Sequence, residues 1–317
     1  MTVNVVACAG NPEIAMVYVV EFDGELVECV EAVQPPIERE EKWVLMISTL
    51  FGCPVACRIC DAGGHYRGKL SADQMLAQIQ FLIDQRYPDG WVPSRQFKIQ
   101  FARMGEPALN PAVLDLLETL PDRIDAPGLM PSLSTIAPSG CESFLNRLLD
   151  IKDRLYPGGK FQFQFSLHTT DSSLRDQLLP VKKWNFQEMA AYGNRFVRPG
   201  DRKVTLNFAL AEDSPVDPIV LKKHFSPDIF LIKITPLNPT YQAEKSGLNS
   251  YVKSSSRKSH YPVIAALEEA GYQVILSIGE TEENKIGSNC GQYVQKHLLS
   301  RKKISTGYTY QLKQSLE

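Results

Sequence analysis

The sequence has no excess of charge of either sign. Its 34 Lys and Arg residues face 36 Asp and Glu residues, which gives a formal net charge of −2. A protein that grips nucleic acid mainly through phosphates usually carries a basic excess, so this balance speaks against a nucleic-acid partner. With 44 % hydrophobic and 22 % charged residues, the 317-residue chain is not disordered or fibrous, and its length indicates one large domain or two smaller ones.

Long apolar runs and a targeting signal are also missing. No run approaches the ~18 apolar residues of a membrane helix. No basic residue precedes the apolar stretch near Met1, so the N-terminus is a poor signal peptide and reads instead as a first strand. We therefore expect a cytoplasmic protein with no membrane partner.

Cysteine is scarce and unevenly placed. The chain has seven cysteines, and an odd number in a chain with no secretion signal argues against a disulfide framework. Three of them, Cys53, Cys57 and Cys60, form a CxxxCxxC motif. Three thiolates on one loop can hold three irons of a [4Fe–4S] cluster and leave the fourth iron for a small molecule. Structural zinc is the alternative, but it usually takes four ligands, and His65 is the only other candidate nearby.

Strand and helix patterns alternate along the rest of the chain. Apolar strands are predicted over residues 43–51, 97–103, 129–135, 162–167, 204–210, 229–235 and 273–277, with helical patterns between most of them. This alternation indicates a parallel sheet with helices outside. We predict an α/β fold in three parts: a short N-terminal β element (1–42), a partial (β/α) barrel of about six parallel strands (43–280), and a C-terminal segment (281–317).

Short motifs follow the predicted strands in a fixed order. They are RMGEPALN at 103–110, LST at 133–135, FSLH at 165–168, LRDQL at 174–178, TPLNP at 235–239 and NCGQ at 289–292. Together with the cysteine motif, this series resembles the radical S-adenosylmethionine (radical SAM) superfamily. Within it, the chain resembles the ribosomal RNA adenine methyltransferases, which methylate carbon-2 or carbon-8 of an adenine. The resemblance runs from about residue 16 to residue 294.

The resemblance implies two cofactors, a [4Fe–4S] cluster and SAM. In the superfamily, the cluster passes one electron to SAM, and the resulting 5′-deoxyadenosyl radical abstracts a hydrogen atom. The three motif cysteines would hold the cluster. Gly105 would allow close backbone approach and Glu106 would pair with the SAM amino group. The remaining residues that match SAM-binding positions are Ser134, Ser166, His168 and Asn238.

Two further residues match catalytic positions of the family. Cys290 matches the cysteine that carries the methyl group, and Glu31 matches a proton-accepting glutamate on an N-terminal strand. The family's second essential cysteine is replaced by Met46, which cannot form a disulfide. Cys29 is a possible substitute, because strand alternation puts it on the same face as Glu31. The alternative is that Cys29 only packs.

Other departures bear on the substrate. The family's ribosomal members carry an N-terminal RNA-binding domain, for which the sequence before residue 43 leaves no room. The residues before Cys290 are acidic where the family is rich in Arg and Lys, and a basic run follows at 296–303. From these departures we expect radical methyl or alkyl transfer to an unactivated carbon of a small molecule or peptide, with ribosomal RNA unlikely as the partner.

The same residues leave other functions open. One is an RNA adenine methyltransferase without the accessory domain, and another is a radical dehydrogenation or rearrangement in which Cys290 is not methylated. A third is an iron–sulfur or SAM-sensing protein with no enzymatic activity. All the enzymatic readings need an electron donor such as flavodoxin or ferredoxin.

Overall fold

The computed structural model describes residues 3–253, 261–279, 281–288, 293–294, 309–311 and 313–314. The strands are β1 Asn4–Asn11, β2 Ala15–Phe22, β3 Glu25–Ala32, β4 Lys42–Ile47, β5 Leu50–Cys53, β6 Gly64–Lys69, β7 Gln96–Phe101, β8 Leu129–Thr135, β9 Gln162–Ser166, β10 Val204–Leu210, β11 Phe230–Pro236, β12 Val274–Leu276 and β13 Lys313–Gln314. The helices are α1 Ala72–Asp84, α2 Ala112–Arg123, α3 Glu142–Leu155, α4 Ser172–Leu178, α5 Phe186–Phe196, α6 Pro218–His224, α7 Tyr241–Lys245, α8 Pro262–Glu269 and α9 Thr281–Ile286.

One large sheet organises the described part of the chain. Its strand order is β12-β11-β10-β9-β8-β7-β4-β3-β2-β1-β13. The seven strands from β4 to β12 in this order run parallel, whereas β3 joins β4 antiparallel and continues into the N-terminal hairpins. The predicted α/β fold with a partial barrel of parallel strands is therefore confirmed, and the N-terminal β element extends the same sheet.

The two faces of the parallel strands differ in chemistry. The face toward the helices is apolar, with Trp43 in ring contact with Phe97 and with Tyr87 after α1, and Phe163 in contact with Tyr192 of α5. The opposite face, which we call the inner face, carries the alternate residues of the same strands. In register order these include Lys98, Gln100, Ser132, Ser134, Gln164, Ser166, Thr205, Asn207 and Lys233. A polar inner face of this kind indicates a surface for ligands rather than a second core layer.

The local signals of the sequence explain most element ends. Ser71 caps α1 through a reciprocal capping box with Gln74, as the sequence predicts for an N-cap. Asp23 and Gly24 both adopt positive φ in the two-residue turn between β2 and β3. The described helices include none that is long and apolar enough to span a bilayer.

Several elements differ from the sequence prediction. The predicted strand at 43–51 is two strands, because the chain turns at Ser48 and Thr49. Gln78 of α1 fixes this turn, accepting from the Ser48 amide at 2.9 Å and donating to the Ser48 carbonyl at 3.2 Å. Strand β6 was not predicted because its sequence, GHYRGK, is polar and exposed. It forms by pairing with β5.

Candidate active site

The three motif cysteines lie on the loop that follows β5. Cys53 ends the strand, and the positive φ of Ala56 turns the chain so that Cys57 and Cys60 follow in one tight loop. The three are free thiols. Burial raises the pKa of Cys53 to about 11 and that of Cys57 to about 12, while amide groups of Val55, Glu106 and Ala56 donate to the Cys53 sulfur. Thiols this reluctant to ionise on their own fit positions where a metal centre supplies the positive charge.

Neighbouring segments hold this loop on both sides. The Arg58 amide donates to the Leu178 carbonyl of α4 at 2.9 Å, and Thr240 Oγ1 donates to the Ile59 carbonyl at 3.1 Å. Asp61 is buried and its carboxylate accepts the first amides of α7, from Tyr241 at 3.0 Å and from Gln242 at 2.9 Å. The cysteine loop is thus fixed to the segment that follows β11.

Gly105 and Glu106 follow β7 and touch the cysteine loop directly. Gly105 has φ +102°, and a Cβ there would lie 2.8 Å from the Leu50 amide nitrogen, so only glycine fits. The amides of Thr49 and Leu50 donate to the Met104 carbonyl at 2.7 and 3.1 Å. These bonds lock the RMGEP turn against the strand that ends in Cys53.

The Glu106 carboxylate is buried and has three hydrogen-bond donors but no cationic side chain beside it. It accepts from Thr135 Oγ1 at 2.5 Å, from the Ile136 amide at 3.0 Å and from the Ala108 amide at 3.1 Å. Burial raises its pKa to about 7 in spite of these donors. A buried carboxylate in this state favours a cationic ligand group, because the ligand would supply the missing positive charge.

His168 lies where β9 ends, at a backbone φ of +67°. Its Nδ1 accepts from the Ala209 amide at 3.1 Å, and burial together with nearby Arg175 lowers its pKa to about 4. The imidazole is therefore neutral with its proton on Nε2, and His168 can donate one hydrogen bond to a ligand.

The other predicted SAM residues occupy the same edge of the sheet. Ser134 ends β8 beside Gln164, and Ser166 ends β9 beside Asn207, all on the inner face. Asn238 follows β11 and is half-buried. The structure thus brings Gly105, Glu106 and these residues to the carboxyl edge of the parallel strands, near the cysteine loop.

Asn207 is a candidate that the sequence pattern did not single out. It lies on the inner face between Ser166 and Lys233 in register, and its Oδ1 is buried with no hydrogen-bond partner. Buried amide oxygens are rarely left unpaired unless a ligand or water completes them. The alternation of Thr205 and Asn207 with Leu206 and Phe208 was the available signal.

Glu31 is not brought together with these residues. It lies on the helix-covered face, where Arg86 donates to both carboxylate oxygens at 2.9 Å and Trp43 Nε1 donates at 3.3 Å. The strand register that pairs Glu31 with Leu45 puts it on the side opposite Met46. The geometry supports a structural ion pair, which corrects the sequence-based expectation of a proton acceptor.

Cys29 shares the face of Glu31, as alternation predicts, and it is fully buried there. Met46 points to the inner face, beside Gln100 of β7. The structure therefore separates Cys29 from the position it was expected to replace, and burial raises the pKa of its thiol. These positions favour the alternative in which Cys29 only packs.

A buried ion pair occupies the inner face where β3 meets the end of β7. Arg103 Nε donates to Glu28 Oε2 at 3.0 Å, and the Arg103 guanidinium also donates to the carbonyls of Ser288 at 2.7 Å and Gly287 at 3.1 Å. Glu28 Oε1 accepts the Val294 amide at 2.5 Å. The pair ties both flanks of residues 289–292 to the strand that leads into Gly105. The candidate methyl carrier Cys290 itself lies outside the described residues, as does the basic run at 296–303.

Comparisons with known proteins agree with this geometry. No protein-family model matches the chain. A probable dual-specificity RNA methyltransferase RlmN of Desulfitobacterium hafniense (strain Y51) is 29 % identical over 282 residues, covering 85 % of this chain and 72 % of the relative. The dual-specificity RNA methyltransferase RlmN of Marinobacter nauticus is 26 % identical over 276 residues, covering 80 % of this chain and 66 % of the relative.

A solved structure supports the same assignment at the level of fold. A radical SAM methyltransferase from Sphaerobacter thermophilus superposes with a TM-score of 0.69 at 20 % identity, over 92 % of this chain and 81 % of that chain. The cysteine loop, the buried carboxylate beside it and these relatives agree. This chain belongs to the radical SAM superfamily. Its relatives place it among the superfamily's methyltransferases, which identifies it as an enzyme.

Membership in the superfamily implies a [4Fe–4S] cluster and SAM, and the residues present fit both. Among the described residues, no three His, Cys, Asp or Glu side chains converge to hold one metal ion, which disfavours the zinc alternative. A cubane cluster instead takes one thiolate on each iron, so its cysteines need not converge. The uncompensated carboxylate of Glu106 suits the SAM ammonium, and the orphaned Oδ1 of Asn207 offers one further acceptor.

The comparisons overturn the expected substrate class. Ribosomal RNA was expected to be unlikely and a small molecule or peptide was expected instead, but the matched relatives are named RNA methyltransferases. The expectation drawn from net charge was wrong because net charge averages over the whole chain. Overall neutrality does not prevent a local basic surface.

Proposed function

We propose that this radical SAM enzyme transfers a methyl group to an adenine of RNA. The observation that carries the proposal is the similarity over 85 % of the chain to a protein named as an RNA methyltransferase. The matched region includes the cysteine loop and the motifs that follow each strand. The alternative weighed from the sequence, an RNA adenine methyltransferase, is thus preferred to a small-molecule enzyme.

The residues divide the work as follows. Cys53, Cys57 and Cys60 would hold the cluster, and the cluster with SAM would supply the radical chemistry. Glu106 would accept the SAM ammonium, with Gly105 allowing the backbone to approach. The half-buried hydroxyls of Ser134 and Ser166, the His168 Nε2–H group and the Asn238 amide are then donors for the remaining polar groups of SAM.

The setting of these residues also limits side reactions. Glu106 and His168 are buried, and the cysteine loop is covered by α4 and by the segment after β11. Exclusion of water protects a reactive radical and strengthens each polar contact. Cys290 would carry the methyl group, and the anchoring of residues 287–288 and 293–294 to Arg103 and Glu28 supports a place for it near this edge.

The proposal is tested by anaerobic reconstitution of the full chain with iron and sulfide, followed by SAM, a reductant and an adenine-containing RNA. Nuclease digestion and mass spectrometry should detect methyladenosine, and Cys57→Ala should abolish it. Cys290→Ala should still allow cluster assembly but give no methylated RNA. Formation of 5′-deoxyadenosine without any methylated RNA would contradict the proposal and favour a dehydrogenation or rearrangement.

A further inference from the structure

The amino edge of the barrel contains a buried lysine with no partner. Lys98 lies on the inner face of β7 and is 8 % exposed. Among the described residues, no hydrogen bond or ion pair reaches its ammonium group. Burying an ammonium group without a partner is costly, so such groups are retained where something else compensates them.

The groups around Lys98 are also cationic. Burial lowers the pKa of Lys98 to about 7, and Lys233, Lys42 and Arg202 lower it further, whereas no carboxylate contributes. These residues come from separate segments: β11, the first residue of β4, and the loop before β10. Lys98 and Lys233 can interact only because the sheet curves, since three strands separate β7 from β11. Curvature therefore gathers positive charge at one place on the inner face.

This cationic group is separate from the cofactor edge. Lys98 precedes the end of β7 at Phe101 by three residues, which corresponds to about 10 Å along a strand. The cysteine loop and Glu106 lie beyond that end. The carboxylate that acts on a member of the group is Glu283 of α9, which lies near Lys42 rather than Lys98.

We propose that Lys98, with Lys42, Arg202 and Lys233, binds a phosphate group at the amino edge of the inner face. A phosphate has several acceptor oxygens and up to two negative charges, so it can satisfy cations that arrive from several directions. A single carboxylate would leave much of this charge uncompensated. The inference does not depend on the proposed function, because a free phosphate ester and an RNA backbone offer the same group.

Calorimetric titration of the full chain with inorganic phosphate, AMP and a short adenine-containing RNA tests the proposal. We expect binding that weakens about 10-fold to 100-fold in Lys98→Met and recovers in Lys98→Arg. Lys223→Met is the matched control, because Lys223 is exposed on α6 and the substitution removes the same charge. Urea unfolding of each variant confirms that it is folded.

The three probes distinguish the sources of the phosphate. Lys98-dependent binding of inorganic phosphate or AMP supports a site for a free phosphate group. Dependence on Lys98 with the RNA alone supports contact with the RNA backbone. The proposal is overturned if no probe binds, or if Lys98→Met binds every probe as tightly as Lys223→Met does.

Discussion

Removing Arg103 should expose how the two ends of the chain are held together. In Arg103→Met, the fully buried Glu28 carboxylate loses its cation, and the carbonyls of Gly287 and Ser288 lose their donor. Breaking one side of a buried ion pair costs about 3–5 kcal/mol, because the remaining charge stays buried. We expect the free energy of unfolding to fall by about that amount.

The double variant Glu28→Gln/Arg103→Met separates the ion pair from simple packing. The introduced glutamine side chain would be neutral and could still accept the Val294 amide, so the double variant should recover about 2–3 kcal/mol relative to the sum of the singles. Arg86→Met is the comparison, since the Arg86 side chain is 23 % exposed and water can partly replace it. Its cost should be smaller.

Urea unfolding of the apoprotein, followed by tryptophan fluorescence under reducing conditions, measures these energies. Hydrogen–deuterium exchange adds a local reading, since the amides of Gly287 and Ser288 should exchange faster in Arg103→Met. Additive single and double variants, with coupling below about 0.5 kcal/mol, would refute the ion pair as a unit. Unchanged exchange at 287–288 would refute its anchoring role.

Three other predictions concern single sites. Gly105→Ala should destabilise the fold by about 2–4 kcal/mol in urea unfolding, because the added Cβ meets Leu50 and the backbone stays left-handed; wild-type stability would contradict this. With its pKa lowered, Lys98 binds a proton in the unfolded state that it lacks in the folded state between about pH 7 and 10, so wild-type stability should rise over this range by at most about 4 kcal/mol. Lys98→Met should flatten that rise, and an equal rise in both proteins would count against it. Glu31→Gln should lose about 1–2 kcal/mol of stability while methyl transfer stays within about twofold, and a collapse of turnover in a folded protein would restore a catalytic role.

The sequence could predict the parallel strands and the cofactor edge because those features are local. Hydrophobic strands alternate with helical patterns, and each motif follows its own strand, so Gly105, Ser134 and His168 could be placed at strand ends. The face on which a strand residue lies depends on register with neighbouring strands, which a single sequence does not show. Glu31 was therefore expected at the site, although pairing with Leu45 turns it toward Arg86.

Long-range pairs were equally hidden from the sequence. Glu28 and Arg103 are 75 residues apart, and their link to Val294 crosses 266 residues. Lys98 read as a polar interruption of an apolar strand, and only the curvature of the sheet brings it near Lys233. Such pairs follow from tertiary packing rather than from local pattern.

The electron paramagnetic resonance spectrum of the reduced, reconstituted enzyme tests the site most directly. We predict a [4Fe–4S] signal that changes when SAM is added. In Glu106→Ala the signal should persist but respond weakly to SAM, because the cysteine loop is intact and the partner of the ammonium is gone. A wild-type protein that assembles no cluster, or whose signal ignores SAM, would contradict this assignment of the site.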